Sequence, residues 1–183
     1  MIPVSRPTTD AATRARIQEV IASGWWGYGP LCQELESRFT QRGGWALALQ
    51  SCTASLWIAA SLLRETGRTE AIIPAITYAG CAAALRTAGW ALRFADVDPV
   101  SGLIDLSAAE RLIGPETGLL LIVDTYGQKA QAAQARSLCD SHGIALVHDM
   151  AHRIDLWDDQ PSPADFACYS FGPTKEAPSP EGG

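Results

Sequence analysis

The spacing of apolar residues changes at Trp45, and that change divides the chain into two textures. Before it, Ile17, Val20 and Ile21 share one helical face, Asp10 stands where a capping carboxylate belongs, and Gly24 supplies a stop, so a helix is predicted over 10–22. After Trp25-Trp-Gly-Tyr-Gly-Pro30, the spacing of Leu31, Leu35 and Phe39 by fours predicts a second helix over 31–40. From Trp45 onward short apolar runs alternate with longer amphipathic ones. Strands are expected at 45–49, 70–73, 91–94, 119–123, 144–147 and 166–169, with helices between them at 53–64, 78–87, 107–112 and 130–142. This alternation argues an α/β fold of three layers, αβα, with a mostly parallel sheet between the helices. No internal repeat, low-complexity tract or long linker interrupts it.

In open sheets of this kind, ligands gather outside the carboxyl ends of the strands. Five polar clusters follow predicted strands: Gln50-Ser-Cys-Thr53, Pro74-Ala-Ile-Thr-Tyr78, Asp124-Thr-Tyr-Gly127, His148-Asp-Met-Ala-His152 and Ser170-Phe-Gly-Pro-Thr-Lys175. The pattern therefore places five candidate clusters on one rim. In the last of them Gly172, Pro173 and Pro178 hold Lys175, and the next lysine upstream is Lys129. A lone lysine in a polar loop is ordinarily a solvated charge. One fixed at the end of a buried strand can instead attack a carbonyl, which is Schiff-base chemistry.

Composition narrows the partners. At 183 residues one domain is the default, and a formal net charge of −6 without a basic run argues against nucleic acid or an anionic membrane as the main partner. An anionic ligand would have to be held locally, by backbone amides and a few side chains. Cys32, Cys52, Cys81, Cys139 and Cys168 are odd in number and show no C-x-x-C spacing, which reads as buried thiols in a reducing compartment. The N-terminal residues lack a secretory pattern and the apolar run 119–123 is far too short to cross a bilayer, so a cytoplasmic protein is expected.

Each cluster has a plain reading beside a chemical one. Ser51-Cys-Thr53 enters a helix: its free amides and the Thr53 hydroxyl suit an anion, although Ser51 or Thr53 could simply cap the helix. No dinucleotide or Walker fingerprint occurs. His148-Asp-Met-Ala-His152 resembles a zinc-protease motif, which needs a helix to bring both imidazoles to one face; the strand-like residues before it argue against that register, and no metal is expected. Asp149 could instead hold a protonated ring nitrogen, since an ion pair at about 4 Å is worth roughly 4 kcal/mol at an effective dielectric of about 20. Its plain reading is a cap of the next turn. Tyr78 could stack on a flat cofactor or fill the core. Trp25 and Trp26 could line a pocket or pack between the first two helices.

Together these clusters, in this order, resemble the DegT/DnrJ/EryC1/StrS family of pyridoxal-phosphate-dependent sugar aminotransferases. The resemblance runs from Ile2-Pro-Val-Ser-Arg-Pro7 through Ser23-Gly-Trp25 with Gly29-Pro30, Ser51-Cys-Thr-Ala-Ser-Leu56, Ile73-Pro-Ala-Ile-Thr-Tyr78, Asp96-Val-Asp-Pro99, Tyr126-Gly-Gln128 and His148-Asp-Met-Ala-His152. It ends on Ser170-Phe-Gly-Pro-Thr-Lys175 and Glu181-Gly-Gly183.

That resemblance implies the large domain of fold-type I pyridoxal enzymes and pyridoxal 5'-phosphate as cofactor. Lys175 matches the lysine that carries the cofactor covalently, and Asp149 the acid paired with its ring nitrogen. Thr53 and Ser170 match the phosphate-holding hydroxyls, assisted by the amides around Cys52. Tyr78 matches the stacking aromatic, and His152 occupies the place of a glutamine near the cofactor's phenolic oxygen. The implied reaction moves an amino group from an amino acid, glutamate or glutamine, to a keto group of a nucleotide-linked deoxysugar, in a homodimer. Lys175 favours transamination over the dehydratases of the family, which lack the lysine.

The chain departs from the family pattern in several places. Cys52 stands where glycine is commoner and could crowd the phosphate. His148 and His152 stand where Glu and Gln are usual, and residues 155–163 lack the usual glycine-rich pattern. The chain stops eight residues after Lys175, at about half the family's span. The expectation is thus that 1–183 is an incomplete pyridoxal-phosphate-binding domain without the small C-terminal domain. It is read either as a fragment of a full enzyme or as a truncated, non-catalytic module for cofactor binding or dimerisation.

Overall fold

The computed structural model describes residues 9–41, 43–154 and 161–183. The motif at 2–7 and most of the segment 155–163 lie outside the described residues. Five strands form the sheet: β1 (Glu70–Pro74), β2 (Ala91–Ala95), β3 (Thr117–Val123), β4 (Ala145–Met150) and β5 (Phe166–Tyr169). They are ordered β2-β1-β3-β4-β5, and every neighbouring pair is parallel. All five carboxyl ends therefore point to one rim, and the strand order reverses between β1 and β3, where such sheets open a crevice.

The helices are α1 (Ala11–Ser23), α2 (Pro30–Thr40), α3 (Cys52–Leu63), α4 (Ala79–Thr87), α5 (Leu106–Leu112) and α6 (Ala132–His142). Period-two alternation in the strands sorts the core into two layers. One face of the sheet presents Ala71, Ile73, Leu119, Leu121 and Val147 to Leu56 and Ala60 of α3 and Cys81 and Leu85 of α4. The other presents Ile72, Leu120, Ile122 and Leu146 to Ala109 of α5 and Ala135 and Cys139 of α6. The run Leu119–Ile122 is apolar at every position because β3 is covered on both faces, and each of its side chains is fully buried.

Caps set the helix starts. Asp10 accepts from the Thr13 amide at 2.7 Å, Ser51 from Ala54 at 3.2 Å, and Asp105 from Ser107 at 2.8 Å. Gly24, at φ 76°, takes the left-handed stop of α1. The Phe39 ring of α2 packs 4.9 Å from Tyr169 and 6.2 Å from Phe171, which ties that helix to the end of β5.

Two expectations need correction, and one helix face stands apart. Residues 45–49 form no strand: Leu49 exchanges backbone hydrogen bonds with Gly183 at 2.8 and 3.0 Å and Ser51 bridges Gly182, as isolated pairings without a continuous ladder. The strand expected to end at Val147 continues through His148 and Asp149 to Met150, because β5 pairs along it to that point. The apolar face of α1 is not buried; Ile17 and Ile21 are exposed, and no residue of this helix enters the core.

Leu121 is fully buried in the central strand. Leu121→Ala is expected to lower unfolding stability by about 2–5 kcal/mol in urea titration. Val100→Ala, at a position 94% exposed, is expected to stay within about 0.5 kcal/mol.

Candidate active site

Successive residues of a strand face opposite sides, so the last residues of β4 divide the polar groups of this rim. Asp149 falls on the α3/α4 face and His148 on the α5/α6 face.

His148 is buried, and both of its ring nitrogens are engaged. Nε2 lies 2.9 Å from Asp124 Oδ1 and Nδ1 lies 2.8 Å from Ser162 Oγ. Asp124, fully buried, also accepts from the Ala130 amide at 2.8 Å and has Arg153 Nη1 at 3.6 Å. These contacts pin the loop after β3 beneath the rim.

Asp149 is buried too, but it is surrounded differently. Oδ1 accepts from the Ala151 amide at 2.9 Å and lies 3.7 Å from Cys52 Sγ; Oδ2 accepts from Cys81 Sγ at 2.9 Å. Among the described residues no Lys or Arg makes an ion pair with it. The Cys52 side chain, expected to crowd the anion position, turns inward to this carboxylate instead. Burial, followed by the charge of Asp149, pushes the Cys52 and Cys81 thiols well above their ordinary range. The same causes in the same order push Cys168, beside Asp149 on β5, up to about 12.

The α3 and α4 starts meet at this place. Ser51 caps α3, which leaves the Thr53 side chain exposed on its first turn. The Tyr78 ring, 71% exposed, lies over Gly80. A Cβ on Gly80 would fall 2.4 Å from Tyr78 Cε1 and 3.2 Å from Thr53 Oγ1, so the missing side chain is what lets the ring lie beside the hydroxyl. This approach of Tyr78 and Thr53 to Gly80 is the feature sequence reasoning missed; the signal available was glycine two positions after the tyrosine, inside a predicted helix.

Lys175 is half-buried on a turn closed by its own amide, which donates to Gly172 O at 3.0 Å. The Ser170 hydroxyl accepts from the Gly172 amide at 3.4 Å. Glu176 anchors the loop by accepting from the Ile154 amide at 2.8 Å.

His152 links the clusters. Its Nδ1 accepts from the Tyr126 amide at 3.0 Å, and the two rings stack at 5.8 Å and 17°. Tyr126 adopts φ 53°, a left-handed conformation rare outside glycine, and this bend aims its amide at the imidazole. With Nδ1 accepting, the neutral ring carries its proton on Nε2. Burial, then the charge of Lys175, lowers the His152 pKa, while Asp149 raises it.

The family model for the DegT/DnrJ/EryC1/StrS aminotransferases matches residues 7–183. The chain belongs to that family. GDP-perosamine synthase from Vibrio cholerae is 29% identical to it over 189 residues, covering 100% of this chain and 52% of the synthase. Among solved structures, AtS13 from Actinomadura melliaura superposes with a TM-score of 0.88 at 27% identity, covering 100% of this chain and 52% of AtS13. Spr1654 from Streptococcus pneumoniae, known in PLP, PMP and apo forms, superposes at 0.87 with 25% identity, covering 99% of this chain and 50–51% of the other. The chain spans about half the length of these relatives.

Because the folded chain holds His152 below the ordinary imidazole pKa, the unfolded chain takes up its proton first as pH falls. The contribution is present in full above the ordinary value and is lost as pH drops through the folded one. Imidazole NMR titration is expected to place His152 below that ordinary value and to show it rising in Lys175→Gln, which removes the nearby cation. A titration unmoved by that substitution would separate the two side chains.

Proposed function

We propose that this chain is the pyridoxal-phosphate-binding large domain of a sugar aminotransferase, with Lys175 as the residue that bonds the cofactor. The observation that carries this reading is the shared rim. Asp149 lies at the end of β4 and Lys175 on the loop that follows its paired strand β5, and Tyr78 and Thr53 both border Gly80 at the neighbouring helix starts. The residues present fit the cofactor: an amine for its aldehyde, a buried carboxylate without a cationic partner for its ring nitrogen, an exposed aromatic for its ring face, and hydroxyls with helix-start amides for its phosphate.

When bound, pyridoxal phosphate supplies an electron sink for carbanion chemistry. The chain supplies the rest. Asp149 holds a positive charge at the ring nitrogen. Tyr78 covers one face of the ring and orients it. Thr53, Ser170 and the amides of residues 52 and 53 hold the phosphate. His152, with its proton on Nε2, donates toward the phenolic oxygen. Lys175, whose amine would bond the cofactor's aldehyde, is also the group that would accept a proton from the amino donor's α-carbon and give it back, as base and then acid.

The donor is read as glutamate or glutamine and the acceptor as a keto group on a nucleotide-linked deoxysugar, in keeping with the GDP-perosamine synthase likeness. A homodimer is read from the family likeness, and the exposed Trp25, Trp26, Trp45 and Leu47 side chains are apolar groups a partner could cover. The sugar pocket is assigned in part to the portion of the relatives that this chain does not span.

Two outcomes test the reading. Protein mixed with pyridoxal phosphate is expected to show a visible absorption band that borohydride bleaches, leaving the label on Lys175. Lys175→Arg keeps the charge but cannot form the bond, so a band that persists in that variant refutes the assignment. Gly80→Ala is expected to keep the fold, since alanine is the better helix former by about 1 kcal/mol. By displacing the Tyr78 ring it is expected to weaken pyridoxal phosphate binding about tenfold in fluorescence titration. Cofactor binding without amino transfer from glutamate would favour a non-catalytic module.

A further inference from the structure

The buried carboxylate of Asp149 is oriented by sulfur. Cys81 Sγ lies 2.9 Å from Oδ2 and Cys52 Sγ lies 3.7 Å from Oδ1. Cys81 is itself oriented, because the Thr77 hydroxyl donates to its sulfur at 3.3 Å and leaves the S–H to point at Asp149. These groups come from two helix starts on the face of the sheet where Asp149 sits: Cys52 opens α3, and Thr77 and Cys81 flank the first turn of α4.

A thiol is a weak donor. A guanidinium or ammonium in the same position would fix the carboxylate equally well but would neutralise it. A hydroxyl would bind it more strongly and draw off more of its charge. The thiol fixes the carboxylate while leaving most of its charge for another cation.

We propose that Cys81, set by Thr77 and seconded by Cys52, is a positioning residue that holds Asp149 in the orientation needed to keep a ring nitrogen protonated. This rests on the reading of Asp149 given above. It assigns the two buried cysteines a role as permanent S–H donors, in place of nucleophilic or redox chemistry. Their thiols are pushed toward the protonated form by burial and by the same carboxylate, which keeps them donors at any working pH.

The test uses the protein loaded with pyridoxal phosphate labelled with nitrogen-15 in the ring, read by the ring-nitrogen chemical shift and by cofactor dissociation constant. In Cys81→Ala the borohydride-reducible band should remain, the shift should move toward that of an unprotonated pyridine, and the dissociation constant should rise about three- to tenfold. Cys81→Ser, which restores a donor at nearly the same point but draws off more of the carboxylate's charge, should return the dissociation constant to within about twofold of the parent and leave the shift between those of Cys81→Ala and the parent. Cys52→Ala, which removes the longer contact, should change them less than Cys81→Ala.

If Cys81→Ala leaves shift and affinity unchanged while Asp149→Asn alters both, the positioning role is overturned and the role of Asp149 stands. If Asp149→Asn changes neither, the reading of the site itself fails. Should Cys81→Ala melt well below the parent, Thr77→Val decides. It leaves the thiol in place but frees its rotation, and it must move the shift in the same direction; an unchanged shift in that variant overturns the proposal.

Discussion

A carboxylate buried with no ion-pair partner among the described residues is the constraint that organises this rim. Taking an ion out of water costs several kcal/mol unless something compensates it. Asp149 receives one amide and two thiols, which satisfy its geometry without cancelling its charge. Its place follows from the strand itself. Val147 and Asp149 share one face of β4, Leu146 and His148 the other, so packing Val147 against α3 and α4 delivers the carboxylate to the starts of those same helices. A one-residue slip in register would exchange Asp149 for His148 and turn an anionic site into a neutral one.

Asp124 shows what a compensated carboxylate looks like in the same layer. It is buried as deeply, yet it has an amide, an imidazole and a guanidinium around it. That arrangement immobilises the loop after β3, and immobilising the loop is what lets Tyr126 hold its left-handed bend and aim its amide at His152. The two histidines of the motif therefore act in different ways. His148 braces the scaffold from the far face of the sheet, whereas His152 faces the cleft with its tautomer fixed by a backbone bond.

The fold was largely legible because hydrophobic period and cap chemistry agree along most of the chain. β5 and the ends of α4, α5 and α6 fall at the expected residues, since β-branched and apolar runs, terminal glycines and caps all point the same way. The candidate site residues were legible as types at strand ends, because parallel topology brings strand ends together whatever their order. Three things were not legible. Residues 45–49 look like a strand, but strandness belongs to a pair, and a local apolar run does not show whether a continuous ladder forms beside it. The separation of His148 from Asp149 depends on where β4 stops, and the polar residues there hide the continuing ladder with β5. The turn of Cys52 toward Asp149 is a contact across 97 positions, which no local pattern encodes.

The first two helices obey a different economy from the rest. α1 carries a good cap and a regular apolar face, yet that face, with Ile17 and Ile21, stays uncovered. Its mate α2 is held through Phe39 between Tyr169 and Phe171, and through Glu36, which accepts from the Ala48 amide at 2.8 Å and from the Tyr28 hydroxyl at 2.7 Å. An amphipathic stripe records that a face is built to be covered; it does not record by what. Phe39 packs on the two rings that bracket Ser170 on the strand leading to Lys175. The exposed side of these helices therefore lies one aromatic cluster, Phe39 with Tyr169 and Phe171, away from the loop of Lys175.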